Sequence, residues 1–128
     1  MTAAIDRLFD AMRKSDTAAV RAAFLPGARV IPMSADNSGT KVNALELDAF
    51  VRFAGQNAAG AWDEQFWSAA SRTNVSLGDL WFEYDVYRGE TLSHCGVNSV
   101  QLQRTGDSWK IVSMAFTRRT DACRVRPK

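Results

Sequence analysis

His94 is the only histidine in the 128 residues, and its ordinary pKa near neutrality suits it to take or give a proton. It belongs to the run Ser93-His94-Cys95-Gly96-Val97-Asn98-Ser99, in which His94, Gly96 and Asn98 fall on one face of a strand. Gly96 would leave room there for a ligand or a bulge. The plainer alternative for His94 is a polar residue that closes a hairpin by bonding to the backbone. Cys95 falls on the opposite face. A Cys–His nucleophilic pair is then geometrically poor, and a structural thiol is expected.

Tyr84 shares a face with Phe82 and Val86. An apolar wall with one hydroxyl describes either an orienting group in a ligand pocket or an ordinary core tyrosine. Asp63 and Glu64 stand beside Trp62, Phe66 and Trp67. A carboxylate near indoles can have a raised pKa and act as a base, and Asp63 is the candidate; the other reading is a solvated pair at a loop mouth. The catalytic set is thus His94 or Asp63 as base, with Tyr84 as hydrogen-bond donor. The ligand-binding set is Tyr84, His94, Asn98, Trp62, Phe66 and Phe50. Arg118 and Arg119 could clamp a carboxylate or phosphate, but pairing with Glu83 and Asp85 on the sheet is the expectation.

Other chemistries find no support. There is no Gly-rich phosphate loop, no Ser within G-x-S-x-G and no metal-ligand cluster, and a lone histidine speaks against zinc or non-haem iron. Neither a metal nor a cofactor is expected. Cys95 and Cys123 lack C-x-x-C spacing and read as free thiols in a reducing compartment. Asp6 and Arg7 lie where a signal peptide needs an apolar run, and no stretch approaches the roughly 20 apolar residues that cross a bilayer. Both points indicate a cytoplasmic protein without membrane contact.

These side chains need a scaffold, and the composition supplies a globular one: 46% hydrophobic and 23% charged residues, enough for one domain spanning 1–128. The net charge of +2 is unevenly placed, because residues 118–128 carry +4. No aromatic interleaves with those bases, so a solvated basic tail from about 119 is expected rather than a nucleic-acid arm.

Ile5, Leu8, Phe9 and Met12 form one stripe of a helix ending near Lys14. Asp16 is placed to cap a second short helix that turns Val20, Ala23 and Phe24 inward. Leu25-Pro26-Gly27 stops it, a short strand follows over Arg29–Met33, and Asp36-Asn37-Ser38-Gly39 makes a turn. A third helix opens at Asn43 with Glu46 in a capping-box position, and buries Leu47, Phe50, Val51 and Ala54. The period then changes to two, predicting four long strands at about 65–76, 80–88, 94–104 and 109–118. Arg88-Gly89-Glu90 and Thr105-Gly106-Asp107-Ser108 mark hairpins, hence antiparallel neighbours.

The fold class is therefore α+β: three N-terminal helices against a strongly bent antiparallel sheet. Three short helices cover one face only. Val112, Met114 and Phe116, with Trp81 and Tyr87, would leave an apolar patch on the other. A second copy, forming a homodimer through this outer face, is the expected cover; the alternative is the C-terminal tail folded back.

This order of elements resembles the nuclear transport factor 2-like superfamily, the cone fold shared with SnoaL-like cyclases and ketosteroid isomerases. The local likeness lies in Leu8-Phe9-Asp10-Ala11-Met12 with Asp16 and Val20, and in Gly106-Asp107-Ser108-Trp109-Lys110-Ile111-Val112. Ser93–Ser99 with Thr117-Arg118-Arg119 and Cys123 is also similar to a bacterial branch described as lumazine-binding-like. That branch has an acid before Thr-Arg-Arg where this chain has Phe116, so no role is carried over from it. The resemblance implies a cone whose interior holds a small apolar or aromatic metabolite, but no particular reaction. Three functions stay open: a binding domain, a cofactor-free isomerase, dehydratase or cyclase, and a protein-interaction module whose cone is filled by Trp62, Phe66 and Trp67.

Overall fold

The structure, a computed structural model, describes residues 1–36, 39–124, 126 and 127. Helix α1 (Thr2–Arg13) turns Ile5, Leu8 and Phe9 into the core and ends at Lys14. The side chain of Asp16 accepts a hydrogen bond from the Ala19 N–H at 3.1 Å, so it caps α2 (Thr17–Ala22) as its position predicts. Strand β1 (Phe24–Asp36) starts sooner and runs longer than expected. Its early part is irregular, with Gly27 at φ +81° and a register shift between Phe24 and Arg29. Of the predicted turn at 36–39, Asn37 and Ser38 lie outside the described residues.

Strand β2 (Gly39–Val42) pairs with β1, and so does the two-residue β3 (Leu45–Glu46). The segment read as a capping box is thus drawn into the sheet. Helix α3 begins at Leu47 and runs to Ala54, with no side-chain cap from Glu46. Its buried face is Leu47, Phe50, Val51 and Ala54, as the periodicity predicts.

Four long strands complete the sheet: β4 (Trp62–Asn74), β5 (Leu77–Arg88), β6 (Thr91–Thr105) and β7 (Ser108–Arg118). The order is β2-β1-β7-β6-β5-β4. The β4 to β7 neighbours are antiparallel, while β1 pairs with β7 in parallel, so the sheet is mixed at that one joint. It is strongly curved and unclosed. The core lies between its concave face and the helices, built on Ile5, Leu8, Phe82, Leu102 and Ile111. No helix among the described residues is long and apolar enough to cross a membrane.

The expected outer face needs correcting. Gln101 pairs with Ser113 and Leu102 with Ile111, so Val112 is an extra residue in β7. Such a bulge reverses the alternation beyond it. Met114 is 3% exposed and, with Phe116, faces the interior rather than the outside. Trp81 and Val112 stay exposed, at 56% and 38%, while the Tyr87 ring lies 4.6 Å beneath the Arg126 guanidinium.

The basic tail is also not free. Cys95 and Cys123 form a disulfide rather than two thiols. Cys95 points outward, away from His94, and its backbone bonds to Arg119 in both directions, which extends the β6–β7 ladder toward Cys123. Free thiols were the ground for a reducing compartment, and disulfides persist in oxidising ones. Beyond the bond, Arg124 pairs with Glu83 at 3.0 Å and Arg126 holds Asp85 and Asp63. The carboxylates expected to meet Arg118 and Arg119 are met instead by Arg124 and Arg126. Glu83 and Asp85 face outward, whereas Arg118 follows Phe116 to the inside and Arg119 donates to the Ala122 carbonyl.

Candidate functional site

A cavity of about 510 Å³ opens between the concave sheet and helices α1 and α3. Its wall is apolar: Phe9 and Met12 from α1, Phe50 and Phe53 from α3, and Val86, Met114 and Phe116 from the strands. The filling by Trp62, Phe66 and Trp67 that would mark an interaction module does not occur. Trp62 lines the space, Phe66 packs edge-on against Phe9 and tilted on Phe82 at 5.7 and 4.9 Å, and Trp67 lies in a small cleft of the outer face.

Alternation and register bring polar groups into this wall from each long strand. Glu64 of β4, Val86 of β5 and His94 of β6 form one row across the sheet. With Val86 between them, Glu64 and His94 stand about 10 Å apart along the row. Tyr84 and Asn98 come from neighbouring rows, and Arg118 from the end of β7. Arg118 is itself exposed, which puts it where the cavity meets solvent.

The site's electrostatics follow from that placement. Burial pushes the Glu64 carboxyl up to about 8, against the pull of the Arg13 charge and with a push from Asp85, so it is protonated at neutral pH. Burial lowers His94 to about 4, assisted by the Arg118 charge, so the imidazole is neutral. The Ser93 hydroxyl lies 3.0 Å from its Nδ1. The His94 ring is 6.2 Å from that of Trp62 and 5.9 Å from that of Tyr84. Burial raises the pKa of the Tyr84 hydroxyl, which donates to the Thr117 carbonyl at 2.7 Å. Its proton is already committed, which removes Tyr84 as a donor to a ligand. The buried indole N–H of Trp62 has no acceptor among the described residues.

Of the residues singled out by sequence, His94, Tyr84, Asn98, Trp62 and Phe50 meet at this cavity, whereas Asp63 and Phe66 do not. Asp63 points to the other side of β4 and pairs with Arg13 at 3.2 Å and Arg126 at 2.8 Å. Burial alone would raise its pKa, but the hydrogen bonds and charges of the two arginines hold it below the usual carboxylate range. The carboxyl in the cavity is its neighbour Glu64. The signal is present in the sequence: Glu64 alternates with Trp62 and Phe66, both expected at the pocket, on one face of a strand. Gly96 makes no room for a ligand; a Cβ there would sit 2.1 Å from the Thr117 carbonyl oxygen, so it serves close approach of β6 and β7. Among the described residues, no group of three or more His, Cys, Asp or Glu is placed to hold a metal.

No family model matches the chain, and no curated protein does. Solved structures do. A protein of unknown function with a cystatin-like fold from Nostoc punctiforme superposes with a TM-score of 0.74 at 10% identity, over 94% of this chain and 89% of that one. A nuclear transport factor 2-like protein of unknown function from Silicibacter pomeroyi gives 0.68 at 19%, over 92% of both chains. The β subunit of the benzoate 1,2-dioxygenase from Burkholderia mallei gives 0.71 at 14%, over 92% and 87%.

Proposed function

We propose that this chain, which has the nuclear transport factor 2-like, cystatin-like fold, binds a small apolar or aromatic molecule inside its cone. The supporting observation is an apolar cavity of about 510 Å³ on which Glu64, His94, Asn98 and Arg118 converge. Apolar walls with a few placed polar groups are the general form of a small-molecule site. A module that worked only through its surface would have no use for a half-buried carboxyl and imidazole facing an apolar cavity, since desolvating both costs stability.

One observation favours a second reading, cofactor-free proton transfer. Glu64 is a neutral acid and His94 a neutral base at the same pH, which is the protonation a 1,3-shift or dehydration needs. His94 would take a proton from a carbon of the substrate. Glu64, reaching in from two strands away, would give its proton to the carbon two atoms on in a 1,3-shift, or to the departing hydroxyl in a dehydration.

A thermal-shift screen against a metabolite library, with His94→Ala beside the wild type, tests the binding reading. A ligand selective for the folded state at 100 times its Kd stabilises by about 2.7 kcal/mol. A compound that raises the melting temperature of the wild type but not of His94→Ala is the expected result. No shift from any compound class would overturn it.

A further inference from the structure

We infer that the ligand of this cavity carries a single carboxylate, anchored by Arg118 at the mouth, with its apolar body against Phe50, Met114 and Phe116. The inference rests on the binding reading above and names its ligand class. It comes from an inventory of donors and acceptors. A guanidinium only donates, and among the described residues no carboxylate pairs with Arg118.

Every acid that might have served is committed elsewhere or carries no charge. Asp63 is held by Arg13 and Arg126, Asp85 by Arg126, and Glu83 by Arg124. Glu64 is protonated and offers an O–H rather than a counter-charge. The Trp62 indole N–H also lacks an acceptor. The interior is therefore rich in donors and positive at its mouth.

A neutral hydrocarbon would leave the interior donors unanswered and the Arg118 charge without a counter-charge, and a cation would be repelled by Arg118. A carboxylate matches the fork of a guanidinium with two parallel bonds. Arg13, the other arginine of the lining, is already engaged by Asp10 and Asp63. One unengaged cation suits one negative charge, and the apolar wall suits a body of one or two rings or a short chain.

Isothermal titration of wild type and Arg118→Gln with matched pairs tests this: 2-naphthoate, cinnamate and octanoate, each beside its primary amide. At least one acid is expected to bind the wild type about tenfold or more tightly than its amide, the margin of a charge-assisted bond. In Arg118→Gln that preference should vanish while the affinity for the amide holds. Arg118 is exposed, so an unchanged melting temperature will report an intact fold. Amides that bind as well as acids, or a preference that survives in Arg118→Gln, would overturn the inference and leave the cavity a binding site. If none of the six compounds binds the wild type, this inference falls, and the metabolite screen above decides the binding reading separately.

Discussion

The fully buried carboxylate of Asp85 is held by Arg126, which reaches it from 41 residues further along with its backbone N–H at 3.0 Å and its Nε at 2.8 Å. The same guanidinium bonds Asp63 at 2.8 Å and covers Tyr87. A buried charge left without its partner costs about 3–5 kcal/mol. Arg126→Met should therefore destabilise the protein by about 3 kcal/mol in urea unfolding. Asp85→Asn added to it should recover part of that loss, because the uncompensated charge is gone.

The Cys95–Cys123 bond closes a loop across 28 residues, and cross-links of that span contribute about 3 kcal/mol. Dithiothreitol should lower the melting temperature of the wild type by several degrees. Cys123→Ser should melt at that lower temperature and no longer respond to the reductant. An equal response in both proteins would show that the bond does not form.

How much of this was legible depended on whether an interaction is local. The α1 stripe and the Asp16 cap are set by residues within one turn, and both appear where spacing places them. The hairpins at Gly89 and Gly106 are equally local, and both glycines take the positive φ, +62° in each, that tight turns ask for. The Val112 bulge carries no mark in the sequence, yet this single extra residue sends Met114 and Phe116 inward and makes cavity wall of two residues expected on the outer face. The tail's partners were invisible for another reason. Cys123 meets Cys95 only because the β6–β7 ladder continues past β7, and a single chain gives no measure of where a ladder stops.

Stability against pH should report Glu64 and His94 together. Glu64 is raised from 4.5 to about 8, so its contribution is full below 4.5 and is lost as pH climbs to about 8. His94 is lowered from 6.5 to about 4, so its contribution is full above 6.5 and is lost as pH falls to about 4. Between 4.5 and 6.5 the two slopes oppose each other. Above 6.5 only Glu64 remains, and stability should fall by about 1.4 kcal/mol per pH unit until about pH 8. Glu64→Gln should abolish that fall in a pH series of unfolding curves, leaving the acid-side slope of His94.

Gly96→Ala would press a methyl group to within 2.1 Å of the Thr117 carbonyl oxygen. The carbonyl it meets belongs to the backbone, so β7 itself must move away, and overpacking of this kind costs about 1–3 kcal/mol or more. Chemical denaturation should show a loss in that range. An unaltered midpoint would mean that β6 and β7 do not approach as described.

Whether ligands enter the cone is tested most directly by plugging it. Ala49 of α3 lines the cavity and is half-buried, so the side chain of Ala49→Trp should project into the space and fill it. Isothermal titration of any compound that stabilises the wild type is then repeated on the plugged protein. Binding in the wild type and none in Ala49→Trp, with folding intact by circular dichroism, is the predicted result. Unchanged affinity in Ala49→Trp would place the ligand on the surface and contradict the account.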